Sequence, residues 1–300
     1  MRRVALTAAL VGASVVSSLV VGYSQAAWAG TLHNGWNYAI DSFNDGTQGR
    51  KLGANSKFEF YGMAVKQTRD KVYFAVNSNL SLDGHSSSSA RNGSIAYGDL
   101  FLNFANQSSV SDANGELQAI RFNEANDSKD FGISNGVYSD VTGVGLMTQN
   151  SGYSNLQRHR DKVNNNYGGN ASFGDLDAQT AYFNHDDGAT LNTSAYGYTN
   201  IESGNRVGDV EMVSDLSRLG LDFEHFGTSG TETFAFSVDS DVLSTGDFIA
   251  HLFAECDNDG IVLSGNLADV PEPASMLGLA LFGLAGAGYR RLKDRKEAES

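Results

Sequence analysis

The sequence predicts an all-β protein: a single antiparallel β-sandwich, jelly-roll-like, with a long loop-rich middle. Three observations carry this. Short segments with apolar residues at alternate positions recur along the chain, as half-buried strands require. Gly, Asn, Asp and Ser fill the spaces between them, and these are the turn-forming residues. Between residues 30 and 268 there is no helical period of useful length, apart from one short candidate at Leu156 to Val163.

The elements follow in order. Phe58 to Val65 and Lys71 to Asn77 flank the turn Thr68-Arg69-Asp70 and read as a hairpin with Val72, Phe74 and Val76 on one face. Asp99 to Phe104 is a further strand, and Gln118 to Phe122 follows the turn signal Ala113-Asn114-Gly115. Later strands are expected at Leu219 to Phe223, Thr233 to Val238 and Asp247 to Cys256. Phe74, Phe101, Phe122, Phe234, Phe236 and Leu252 are the expected core. The stretch from Glu124 to Asn205 is poor in apolar runs. It is too long for a structureless loop in a compact domain, so short strands are expected within it.

The two ends read differently. Residues 1–29 have the pattern of a signal peptide: Arg2 and Arg3, an apolar run, then Ala27-Trp28-Ala29 as a small-x-small cleavage site. The general secretion machinery is the expected route. The domain spans 30–268, and 269–300 form a separate tail. Residues 30–269 hold 14 Lys and Arg against 31 Asp and Glu, so this part is near −17 while the whole chain is −14. Such a surface repels nucleic acid and anionic lipid and is compatible with loose binding of divalent cations. The one cysteine, Cys256, excludes an internal disulfide and reads as a small buried apolar residue.

Candidate chemistry is thin. Gly132-Ile133-Ser134-Asn135-Gly136 fits a nucleophile-elbow pattern, but a strand-like segment follows where a helix is needed. The histidines His33, His85, His159, His185, His225 and His251 have no metal-ligand spacing. No catalytic residue is assigned, and the chain is expected not to be an enzyme. Calcium is the one ion with candidate ligands. Glu255, Asp257 and Asp259 place carboxylates at alternate positions before Gly260, as a calcium loop does. Asn266 stands where the twelfth-position Glu of such a loop belongs, so an ordinary turn is the competing reading. Asp41-Ser42-Phe43-Asn44-Asp45-Gly46 is a similar acidic turn.

The tail carries the sharpest signal. Both prolines of the chain flank one glutamate in Val270, Pro271, Glu272 and Pro273. Proline fixes its own φ and biases the residue before it to extended geometry. An apolar run from Met276 to Tyr289 follows, read as a short transmembrane helix. Then comes the basic cluster Arg290, Arg291, Lys293, Arg295 and Lys296, which should stay cytoplasmic. The sixteen residues from Ala274 to Tyr289 span roughly 24 Å at about 1.5 Å per residue, short of a bilayer core of about 30 Å.

These residues resemble the PEP-CTERM sorting signal of bacterial exosortase substrates. The resemblance implies export, transient anchoring in the inner membrane, and tail removal by an exosortase. Tyr97-Gly98-Asp99-Leu100-Phe101-Leu102-Asn103-Phe104 resembles a strand motif of cyanobacterial exosortase-dependent surface proteins of the XDD type. Two functions then stand. One is a structural or adhesive protein of the cell surface or extracellular matrix, with extracellular polysaccharide as a partner. The other is a carbohydrate-binding module or glycan hydrolase. The second requires exposed rings, for which Trp36, Tyr38, Tyr153, Tyr167, Tyr182, Tyr196 and Tyr198 are the candidates.

Overall fold

The computed structural model describes residues 30–104, 109–176, 181–183 and 197–269. Ala27, Ala29, Tyr196, His185 and everything from Val270 onward lie outside the described residues. The first sheet contains β1 (Thr31–His33), β2 (Trp36–Ile40), β5 (Phe60–Gln67), β6 (Lys71–Ser78), β14 (Glu232–Asp239) and β13 (Glu211–Met212), in that order across the sheet. The second contains β12 (Asn200–Gly208), β11 (Gly136–Val144), β10 (Leu117–Arg121), β9 (Leu100–Asn103), β15 (Gly246–Phe253) and β16 (Gly260–Leu267). Two small ribbons, β3 (Thr47–Gln48) with β4 (Lys51–Leu52) and β7 (His85–Ser86) with β8 (Ser94–Ile95), sit in the connections. All strand pairs are antiparallel.

The expected all-β fold is what the chain adopts. Within it, β9 to β12 lie side by side in chain order across the second sheet. The Phe58–Asn77 hairpin is present as β5 and β6, with Met63 opposite Val76 and Val65 opposite Phe74. Its turn is closed by Thr68, whose Oγ1 donates to the Lys71 carbonyl and accepts from the Lys71 N–H.

Period-2 alternation explains how the layers form. Phe74, Phe122, Phe234, Phe236 and Leu252 lie in the core between the sheets, with Leu100 and Leu102. Phe122 stacks on Phe236 at 4.6 Å between ring centroids. Phe101, between the two leucines, points to the opposite face of the second sheet. It is buried there because the loop-rich middle covers that face with Val110, Leu156, Phe173 and Phe183.

That middle holds β11, a 3-10 turn at Asp127–Phe131, and the helix α1 (Leu156–Lys162), which Asn155 caps by accepting from the Arg158 N–H. The expected strand at Leu219 to Phe223 is not one. Gly220 has φ of +69°, outside strand geometry, and the segment instead lies over the outer face of the first sheet. There Leu219, Leu221 and Phe223 cover Trp36 and Tyr38, and the Leu219 carbonyl accepts the Trp36 indole N–H at 2.9 Å. The same alternation of apolar residues serves a cap as well as a strand. Among the described residues no helix is long and apolar enough to cross a membrane.

The cover over the second sheet buries a titratable group. His251 is fully buried, stacked on Phe101 at 5.1 Å with the Tyr182 hydroxyl near Nδ1. Burial lowers its pKa to about 3, with the Tyr198 backbone opposing. The unfolded chain takes up a proton near pH 6.5 that the folded chain refuses, so stability falls as pH drops below that value. His251→Phe should therefore flatten the acid limb: between pH 6.5 and 5 it should lose about 1.5 kcal/mol less unfolding free energy than the parent chain. Urea denaturation at a series of pH values measures this, and parallel curves would contradict it.

Candidate functional site

At one end of the sandwich four carboxyl groups meet below the surface. Asp41 ends the chain's run out of β2, Asp45 precedes β3, Glu59 precedes β5, and Asp259 precedes β16. Strand β16 is the edge of the second sheet, while β2 and β5 are neighbours in the first. One carboxylate oxygen from each of Asp41, Asp45 and Asp259 lies within 4.8 Å of the others. Glu59 sits alongside, and all four residues are buried.

Asp41, Asp45 and Glu59 are each held through one carboxylate oxygen, and Asp259 through both, its Oδ1 accepting from the Gly260 N–H at 2.9 Å. Asp41 Oδ1 accepts from the Gly174 N–H and the Ser172 hydroxyl, both at 2.8 Å. Asp45 Oδ2 accepts from the Ser172 N–H at 2.7 Å. Glu59 Oε2 accepts from the Gly46 N–H at 2.7 Å, and Asp259 Oδ2 from the Phe60 N–H at 2.8 Å. The second oxygens of Asp41, Asp45 and Glu59 are buried without any hydrogen-bond partner. Gly46 is required here: a Cβ would lie 2.5 Å from Glu59 Cα and 2.6 Å from Glu59 Oε2. The helix contributes His159, whose Nε2–H donates to the Asp45 carbonyl at 2.9 Å.

The electrostatics are one-sided. Burial pushes the Asp41 and Glu59 carboxyls up, to about 8 and about 9, and those of Asp45 and Asp259 well above the usual range. The neighbouring carboxylates push Asp45, Glu59 and Asp259 further in the same direction. None of the ion pairs among the described residues supplies a Lys or Arg to any of the four.

The structure thus joins the two acidic turns that the sequence offers separately. It brings Asp259 to Asp41 and Asp45, and it adds Glu59, which pattern reading missed because a glutamate among strand residues has no turn signature. Glu255 and Asp257 go elsewhere. Asp257, at φ +50°, is buried with neither carboxylate oxygen hydrogen-bonded among the described residues. Cys256 is fully buried, and burial pushes its thiol up.

Glu255 belongs to a second, neutralised polar network. It accepts from the Ala96 N–H, the Asp127 N–H and Asn200 Nδ2. Asp99 lies beside it, accepting from Asn126 Nδ2, the Ser128 hydroxyl and the Ile201 N–H. Burial raises the Asp99 carboxyl, while those donors and the Arg121 charge oppose the rise. Tyr97, in the same Tyr-Gly-Asp stretch, donates to the Leu80 carbonyl and meets the Ser78 hydroxyl. These residues tie the middle segment to the second sheet.

The other candidates are placed as follows. Ser134 follows a 3-10 turn and precedes β11, and its hydroxyl meets the Tyr138 hydroxyl, so the nucleophile-elbow context is missing. His33, Asp222 and His225 form a surface group, with the imidazoles stacked at 3.9 Å and Asp222 bonded to His33 and to the His225 N–H. Trp36, Tyr38 and Tyr182 are interior rings; Tyr153, Tyr167 and Tyr198 are half-buried.

Comparison with known proteins adds to the tail. Residues 269–295 match the PEP-CTERM protein-sorting motif. No curated protein and no solved structure matches the chain. The PEP-CTERM motif implies an exported protein whose processing partner is an exosortase. The motif residues Val270, Pro271, Glu272 and Pro273 and the basic cluster lie in the matched stretch and outside the described residues, except that Lys296 lies just beyond the match.

The second network makes a direct prediction. Asp99→Ala removes the acceptor of three buried donors, each of which costs about 1–3 kcal/mol when left unpaired. The denaturation midpoint should fall by the equivalent of at least about 3 kcal/mol. A midpoint within error of the parent would show that the network does not hold the middle segment down.

Proposed function

We propose that the β-sandwich is a structural or adhesive module of the cell surface or extracellular matrix, delivered there by its PEP-CTERM tail and having no catalytic role. The observation that carries this reading is the sorting motif itself, at residues 269–295, joined to an exported domain of strongly acidic surface. The burial of Trp36, Tyr38 and Tyr182 supports it against the glycan-binding alternative, because a sugar platform presents its rings to solvent. The general secretion machinery carries the chain across the inner membrane. The tail helix then anchors it, with Arg290 and Arg291 on the cytoplasmic side, until the exosortase cuts. Extracellular polysaccharide is the partner proposed for the acidic domain in the matrix, held through polar contacts or bridging cations.

Proline biases the residue before it to extended geometry, which is the role proposed for Pro271 and Pro273, and Glu272 is the one charge between Asp269 and Arg290. Replacing Pro271, Glu272 and Pro273 together with Ala should leave export intact and block tail removal. The protein should then collect uncut in the inner membrane, while deletion of 274–300 should release it to the periplasm or medium. Fractionation of the host with mass analysis of the mature termini reads both outcomes. Normal processing of the triple variant would overturn the sorting role of these residues, and activity of the purified protein on host glycans would overturn the non-catalytic reading.

A further inference from the structure

We propose that Asp41, Asp45 and Asp259, with Glu59 beside them, bind one calcium ion that ties the two sheets together at this end of the sandwich. Three independent features converge on the site. The carboxylate oxygens of the three aspartates come within 4.8 Å of one another although they arrive from separate elements. One oxygen in each of Asp41, Asp45 and Glu59 is buried without a hydrogen-bond partner, while the other is held by N–H or O–H donors. That is the arrangement of a prepared ligand set: one side of these three carboxylates is fixed and the other is left for an ion, while Asp259 accepts one N–H at each oxygen and keeps a further lone pair on each to offer. Third, no cationic side chain among the described residues pairs with the four, so their charge is uncompensated by the protein.

The donor set decides the ion. All the groups are hard carboxylate oxygens, with neither Cys sulfur nor a His nitrogen aimed at them; His159 is occupied at Nε2 by the Asp45 carbonyl. Such a set suits calcium or magnesium and disfavours zinc and copper. Burial then separates the first two. Magnesium gives up its waters reluctantly, whereas calcium accepts an irregular set of protein oxygens. A site whose three aspartates are 0–6% exposed leaves little room for a hydrated ion. The ion would join the β2 end and the β5 start of one sheet, with the turn before the β3 ribbon, to β16 of the other, and through Ser172 and Gly174 it would hold the middle segment over them.

The test uses the full chain purified in detergent, stripped with a chelator and then dialysed against calcium chloride. One calcium ion per chain should bind, and about 1 mM calcium should raise the melting midpoint by about 5 °C or more, with magnesium giving less than half of that. Asp45→Asn and Asp259→Asn keep size and shape while removing one charge each. Both should lose the bound ion and the shift, whereas Asp140→Asn, on the exposed side of β11, should keep both. The proposal is overturned if the unsubstituted chain binds no calcium at about 1 mM, if magnesium shifts the midpoint as far as calcium does, or if both cluster variants bind as the parent does. Dialysis of the unsubstituted chain decides the question even where a variant fails to fold.

Discussion

The structure depends on how it handles four buried acids at the seam between its sheets. Moving a carboxylate out of water is costly unless an opposite charge or strong donors meet it, and a second carboxylate nearby makes it worse. Here Asp41, Asp45, Glu59 and Asp259 come from turns at the ends of four strands. The fold brings them together because β2, β5 and β16 must end at the same place for the sheets to close. Donors from Ser172, Gly174, Gly46 and Phe60 offset part of the cost and thereby fix the middle segment. A bound cation would turn the remaining repulsion into a tie between the layers. Without a disulfide, an exported chain has few other ways to fasten distant segments.

The contrast with the Asp99–Glu255 network is instructive. There, too, acids are buried, but each faces several donors and Arg121 lies close by. Its job is framework: it anchors the 3-10 turn at Asp127–Phe131 and the start of β12 to the second sheet. Glu255 and Asp259 stand at the two ends of one turn and join different clusters, while Asp257 between them joins neither.

Much of the fold was legible in the residues. Phe74, Phe122, Phe234 and Phe236 alternate with small or polar-tipped neighbours such as Tyr73, Ala75, Thr233, Ala235 and Ser237, and that alternation places them between the sheets. Phe101 was legible as buried but not as facing outward, because strand periodicity does not say that the opposite face is also covered. Leu219 to Phe223 alternates like a strand and is a cap, since Gly220 takes a positive φ. The edge strands β12 and β16 were harder. Asn200 to Gly208 is polar and largely exposed past Ile201, so no apolar pattern marks it. The acidic site was half legible: both turns show in the sequence, but their meeting depends on strand order, which lies beyond any local pattern. The tail needed no structure, since a Pro-Glu-Pro handle, a short apolar run and a basic end are all written in consecutive residues.

Delivery and architecture thus sit in different parts of the chain. The PEP-CTERM segment marks the chain as an exported substrate of an exosortase, and the sandwich lies ahead of it. The central physical claim concerns the seam. It is tested most directly by a crystal structure of the protein grown in calcium, with diffraction collected at a wavelength where calcium scatters anomalously. The account predicts one anomalous peak among Asp41, Asp45 and Asp259, with carboxylate oxygens at about 2.3–2.6 Å. An absent peak, with the carboxyl groups paired to one another through shared protons, would contradict it.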